Sequence, residues 1–190
     1  MKKLVECVPN FSEGREKDVI HSIVKSMQLV ENVKVLDVDS GKDTNRTVVT
    51  IIGDPMAVLE SAFIGIKTAS ELIDMNKHQG THPRIGATDV CPIIPVSEVS
   101  DEECINLTKI LGKRVGEELK IPIYLYEKST QYKNRTKLPV IRSGEYEGLA
   151  KKLSDPEWKP DFGPNVMHPQ AGATVIGCRD FLIAYNINLN

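Results

Sequence analysis

Residues 78–87 read His-Gln-Gly-Thr-His-Pro-Arg-Ile-Gly-Ala, so two imidazoles, a guanidinium and two glycines share one short stretch. An imidazole near its ordinary pKa of about 6.5 takes and returns a proton at neutral pH, and a neighbouring guanidinium can hold an anion. The stretch therefore suits proton transfer beside an anionic ligand, with His82 as the candidate general acid/base and Arg84 beside it. On a helix, the spacing of His78 and His82 would aim both rings at one metal. Gly80 lies between them and Pro83 follows His82, which disfavours helical backbone there, so no metal site is expected. Taken alone, a histidine in such a loop is more often just bonded to backbone. His21, on a helix-patterned stretch, receives no role.

Two further clusters accompany this one. Asp39, Lys42, Asp43, Asn45 and Arg46 crowd a short polar segment. A charged turn is usually only solvated, but Arg46 stands where the next apolar run begins, and an Arg fork or a Lys is what a carboxylate ligand needs. The second cluster is Asp161-Phe162-Gly163-Pro164-Asn165-Val166-Met167-His168-Pro169-Gln170-Ala171-Gly172-Ala173-Thr174. Its glycines and prolines would let backbone groups approach a flat heterocycle while Phe162 or Met167 packs on it. The competing reading is a plain connecting loop. Phosphate-cradling loops of the G-x-G-x-x-G or G-x-x-x-x-G-K-[ST] type and a G-x-S-x-G elbow are missing, which leaves nucleotide-fuelled chemistry and serine hydrolysis without support.

The elements that must position these clusters follow from patterning. Residues 4–8 form a short apolar run ending at Pro9-Asn10, a strand; Val19, Ile20, Ile23, Val24 and Met27 then recur at helical spacing. Residues 33–39 and 47–53 are rich in β-branched side chains and flank the polar cluster, giving a hairpin. Asp54-Pro55 opens a second helix, and residues 88–96 read as a strand that Pro92 and Pro95 would place at a sheet edge. Strand, helix, strand, strand, helix, strand is the βαββαβ order of a ferredoxin-like split βαβ sandwich, an α+β fold with helices on one face of an antiparallel sheet. A third helix, launched by the capping box Ser100-Asp101-Glu102-Glu103, and further strands at 121–126, 173–178 and 181–189 extend it. Residues 128–164, polar and proline-rich with one short helical stretch at 144–153, read as an irregular binding surface.

Composition bounds the rest. The 190 residues, 41% hydrophobic and 26% charged, make one sizeable domain, and 24 Lys plus Arg against 26 Asp plus Glu give a net charge of -2 that recruits no polyanion. The basic cluster 133–137 is expected to be a solvated loop, and an RNA-binding role is disfavoured because the first strand lacks exposed stacking aromatics. Cys7, Cys91, Cys104 and Cys178 form no C-x-x-C pair and read as reduced core residues of a cytoplasmic protein. No segment has membrane-spanning length, so no membrane partner is expected.

Together, residues 8–15 (Val-Pro-Asn-Phe-Ser-Glu-Gly-Arg), the hairpin 39–46, residues 78–92 with their Gly-Thr-His-Pro-Arg-Ile-Gly-Ala core, and residues 160–164 through 172–174 resemble the N-terminal subdomain of glutamate formimidoyltransferase, the transferase part of formiminotransferase-cyclodeaminase. The resemblance implies transfer of a formimino group from N-formimino-glutamate to tetrahydrofolate, with tetrahydrofolate as co-substrate and no metal. It places the family's catalytic histidine on His82 and its folate-binding segment on Gly163, Pro164, Asn165, Val166, Met167, His168, Pro169, Gln170, Ala171 and Gly172. Both substrates are anionic, so Arg46, Arg84 and Lys42 are the residues expected to hold them, and Asp39 of the hairpin completes the expected substrate-binding set. Residues 1–180 correspond to the N-terminal-type lobe, and 181–190 resemble the opening strand of a second lobe. The expectation is a small-molecule enzyme completed by a separately encoded second lobe or by homodimerisation, the alternative being a non-catalytic folate-binding or regulatory module.

Overall fold

In a computed structural model, the description of the chain covers residues 2–183. The expected strand at 181–189 falls largely on 184–190, outside the described residues.

The first strand runs as β1 (Leu4–Cys7) and β2 (Asn10–Phe11), both lying between β4 (Arg46–Gly53) and β5 (Thr88–Ser97). Cys7 opposes Ile51 and Asn10 opposes Val48, so the two pieces keep one register across the break at Val8-Pro9. The hairpin partner β3 (Val33–Gly41) pairs with the far edge of β4, with a register shift between Val35 and Asp37. Between the strands run α1 (Lys17–Gln28) and α2 (Pro55–Leu72), the latter capped by Asp54, whose side chain accepts from the Met56 N–H at 3.1 Å. The order β3, β4, β1/β2, β5 is antiparallel throughout.

Beyond β5 the sheet turns parallel. β7 (Thr174–Cys178) pairs with β5 and then with β6 (Ile123–Leu125), both in parallel, giving a seven-stranded mixed sheet among the described residues. This corrects two expectations: the sheet is not wholly antiparallel, and helices cover both of its faces at this end. On one face, α1, α2 and α3 (Asp101–Glu118) bury Cys7, Phe11, Val49, Ile51, Ile93, Leu111 and Ile176. On the other, α4 (Leu138–Arg142) and α5 (Glu145–Leu153) place Ile141, Leu149 and Leu153 against Val90, Tyr124 and Val175. Buried on both sides, β7 has no polar alternation, as parallel strands generally lack it. The capping box forms as read, Ser100 Oγ accepting from the Glu103 N–H and Glu103 accepting from the Ser100 N–H.

The segment expected to be an irregular surface is thus a second layer. Arg135, from the cluster expected to be solvated, is buried: it donates to the carbonyls of Glu157 (2.7 Å) and Lys159 (2.9 Å), pairs with Asp161, and lies over the Tyr132 ring at 4.1 Å.

Proline did not send β5 to the edge. Pro92 opposes Val8, whose N–H donates to the Pro92 carbonyl at 3.2 Å, but proline has no N–H to return the bond to Val8. The Asn10 side-chain amide supplies it instead, donating to the Val8 carbonyl at 3.0 Å. Pro95 faces Val5 where the register slips between Leu4 and Val5, which spares it a ladder bond as well.

β4 alternates cleanly. Thr47, Val49, Ile51 and Gly53 enter the first core, while Arg46, Val48, Thr50 and Ile52 point to the half-buried opposite side. On that side, where the α4–α5 layer stops, lies the cavity described next.

Candidate active site

The loop 78–82 is built onto the hairpin tip. Asn45, in the left-handed conformation at φ 46°, accepts from the Gly14 N–H (2.9 Å) through Oδ1 and donates to the Gln79 carbonyl (2.9 Å) through Nδ2. The Thr81 N–H donates to the Asp43 carbonyl at 3.0 Å, and a Cβ on Gly80 would stand 2.3 Å from the Thr44 carbonyl oxygen, so only glycine permits this approach. His78 is consumed here: its Nε2 lies 2.9 Å from the Asn45 carbonyl and its Nδ1 accepts from Arg84 Nε at 3.2 Å. Burial lowers its pKa.

This stapling carries His82 to Arg46. Arg46 Nη1 lies 2.6 Å from His82 Nε2. A guanidinium only donates, so Nε2 is the accepting nitrogen and the neutral ring carries its proton on Nδ1. Desolvation first, then the positive charges of Arg46 and Arg142, push the His82 pKa down to about 4, against an opposing bond to the Pro83 backbone. At neutral pH the imidazole is an uncharged base.

His82 and Arg46 line a cavity of about 240 Å³ with Asn10, Val90, Pro92, Tyr126, Glu127, Leu138, Arg142, Arg179 and Leu182. Three guanidiniums converge on it. Arg142 is anchored by an ion pair to the buried Asp89, whose other oxygen accepts from the Ile85 N–H at 2.9 Å. Burial raises the Asp89 pKa, with Arg142 opposing. Burial together with Arg142 lowers that of Arg46, against the nearby carboxylates of Asp39 and Asp89. The arrangement fits an anionic ligand beside a neutral general base.

Of the residues expected at the site, His82 and Arg46 come together here. Asp39 opposes Val48 across the hairpin, exposed, on the cavity's side of the sheet. Lys42 lies elsewhere, at a groove of about 420 Å³ between α1 and β3, where its carbonyl accepts from Arg15 Nε at 2.9 Å. Arg84, 7% exposed, turns the other way and donates to Glu145 (2.8 Å) and Glu147 (2.7 Å), so its fork is already filled by carboxylates. Its pKa is raised chiefly by Glu147.

Residues 163–172 contribute nothing to the lining of the His82 cavity. His168 and Gly172 exchange backbone bonds at 3.1 Å, and His168 Nδ1 accepts from the Ala171 N–H at 2.9 Å. Gly172, at φ 70°, presses so closely on the Ile85 carbonyl that a Cβ would sit 2.3 Å from it. Phe162 packs on Gly112 in the first core and Met167 touches both cores, so neither lies ready to stack on a ligand.

Sequence reasoning missed Arg142, Arg179 and Asn10 as members of the cavity. Arg142 and Arg179 carry no motif signal, being brought in by tertiary packing alone. Among the described residues there is no group of three or more His, Cys, Asp or Glu placed to hold a metal, and no helix is long and apolar enough to cross a membrane.

This chain is similar in sequence to the following proteins along its length. Formimidoyltransferase-cyclodeaminase of Gallus gallus is 54% identical over 189 residues, covering 100% of the chain and 35% of that protein. Glutamate formimidoyltransferase of Thermoplasma acidophilum is 50% identical, covering 98% of the chain and 62% of the relative, and that of Streptococcus pyogenes serotype M1 is 45% identical, covering 100% and 64%. The chain therefore spans between about a third and two thirds of these relatives' length. A family model described as the formiminotransferase domain, N-terminal subdomain, matches residues 4–179, and the chain belongs to that family.

Proposed function

We propose that this lobe carries the catalytic base of a glutamate formimidoyltransferase, moving a formimino group from N-formimino-glutamate to tetrahydrofolate. The observation that carries the reading is the neutral His82 imidazole set among Arg46, Arg142 and Arg179 in one cavity. The pterin nitrogen attacks the formimino carbon and His82 Nε2 takes the proton that nitrogen sheds. The carbon–nitrogen bond to glutamate then breaks as the same proton passes to the departing amine, so atoms and charge balance with one group shuttling. The arginines hold substrate carboxylates, and Asp39, on the same side of the sheet, flanks the approach, while Lys42 at its separate groove takes no part. Arg84, committed to two glutamates, acts on the loop's shape in this scheme rather than on the ligand.

The folate-binding role for residues 163–172 is retained as part of the proposal on the family resemblance, together with a further lobe that walls the ligand in. The relatives' greater length supports that lobe, supplied on the same polypeptide or separately, or replaced by a second copy in a homodimer. For the first six elements, the order β5, β1/β2, β4, β3 with two helices on one face supports a ferredoxin-like split βαβ unit, which β6 and β7 extend. Work in the cytoplasm and in histidine breakdown completes the reading.

The test is formation of 5-formimino-tetrahydrofolate from formiminoglutamate and tetrahydrofolate, by the chain alone and with the remaining portion of a relative added. His82→Ala should fold normally and lose about 10²- to 10⁴-fold in turnover, the usual worth of a positioned acid/base. Full turnover in that variant removes His82 from the mechanism, and folate binding without any turnover would favour the non-catalytic module.

A further inference from the structure

The contact that brings Arg46 to His82 is also an obstacle. The lone pair on Nε2 is the only basic site of the neutral imidazole, and the Arg46 guanidinium occupies it at 2.6 Å. A nitrogen already accepting from arginine cannot take a proton from a pterin. We propose that Arg46 is a substrate-released cap on the base: its guanidinium covers His82 Nε2, and a carboxylate entering the cavity draws it away and bares that nitrogen. The inference rests on the reading of His82 given above and makes Arg46 a positioning residue as well as a carboxylate holder.

Three observations support the exchange. Arg46 stands at the first position of β4 beside the hairpin tip, so its side chain reaches the cavity from an anchored backbone. Arg142 and Arg179 line the same cavity, so an entering carboxylate meets three cations. A carboxylate offers arginine two parallel N–H···O bonds and an opposite charge, whereas the neutral imidazole offers one lone pair and no charge. The competition for Arg46 therefore favours the ligand.

The charges facing the ring come from several elements: Arg46 from β4, Arg142 from α4 with Asp89 of β5 behind it, Asp39 of β3 beside Arg46, and Arg179 and Glu127 on the cavity wall. Cations dominate on the side of the imidazole. A bound carboxylate neutralises them, so uncapping and strengthening of the base arrive together, and the base works only when substrate is present.

The experiment is an NMR titration of the His82 ring nitrogens in the full chain, without ligand and with saturating glutamate or glutarate, binding being followed separately by calorimetry. In the wild type the midpoint should rise on ligand binding by about one pH unit or more, a tenfold gain in proton affinity. Arg46→Gln should show a raised midpoint without ligand and a smaller further rise with it than the wild type shows, the part owed to neutralising Arg142 and Arg179. If glutamate or glutarate binds and the His82 midpoint stays put, the cap is overturned while the proposed function survives. If neither carboxylate binds, the anionic-substrate reading of the cavity fails and the cap falls with it. The wild-type comparison needs no variant, so misfolding of Arg46→Gln would not spoil the test.

Discussion

Arg142 donates to the carboxylate of Asp89 with both side chains nearly withdrawn from solvent, and this pair ties the short helix α4 to the sheet beside His82. Asp89→Asn keeps an acceptor for the Ile85 N–H but strips the charge that balances Arg142. Breaking one side of a buried pair costs about 3–5 kcal/mol, so the urea midpoint should fall sharply. An unchanged midpoint would show that Arg142 is not held by this partner.

Acid should weaken the fold through His82. The imidazole takes a proton near pH 6.5 in the unfolded chain but only at about 4 in the folded one, so between those values the unfolded state binds more protons. Its contribution is complete above about pH 6.5 and is lost as pH falls toward 4. His78 and His168, both also lowered by burial, act with the same sign. Urea unfolding across this range should show a shallower loss for His82→Gln than for the wild type; identical slopes would refute the shift.

Gly80→Ala pushes a methyl group into the Thr44 carbonyl. Overpacking of this kind costs about 1–3 kcal/mol. The larger effect should be on turnover, because the loop can relieve the clash only by backing away from the hairpin and carrying the His82 ring out of its place in the cavity; about a 10²-fold loss is expected from a displacement near 1 Å. Wild-type kinetics in a folded Gly80→Ala chain would mean the loop position is unimportant.

Arg135→Leu should loosen residues 156–161 before the rest of the molecule. It leaves the Glu157 and Lys159 carbonyls without their guanidinium donor and the Asp161 carboxylate with the Leu125 N–H but no balancing charge, again a cost of about 3–5 kcal/mol. Hydrogen exchange would report faster opening there than in β4, with Arg135→Lys intermediate because lysine keeps the charge and loses the fork. Uniform exchange across both segments would contradict this.

Period and punctuation made the first six elements and α3 legible: β-branched runs, the Asp54-Pro55 start and the Ser100–Glu103 box each act through neighbours in sequence. The parallel extension was not, because β7 pairs with β5 and β6 across long intervals that leave no local pattern. Arg135 misled, and Arg142 escaped notice, for a related reason. An arginine in a polar stretch looks solvated until a carboxylate from elsewhere, Asp161 or Asp89, is folded onto it. His82 and Arg46 were legible as chemistry, but Arg84 was not separable from them, since its occupation by Glu145 and Glu147 depends on where α5 packs.

The amide of Asn10 substitutes for the hydrogen that Pro92 cannot give, and this couples the cavity wall to strict counting along the chain. Since neighbouring residues on a strand face opposite ways, losing or gaining a single amino acid ahead of position 10 would swap Asn10 with Phe11. A phenyl ring would then protrude among the arginines while a carboxamide sank into hydrocarbon, and the carbonyl of residue 8 would lose its donor. Side chains in this stretch are therefore open to exchange for ones of like kind, whereas its length is not.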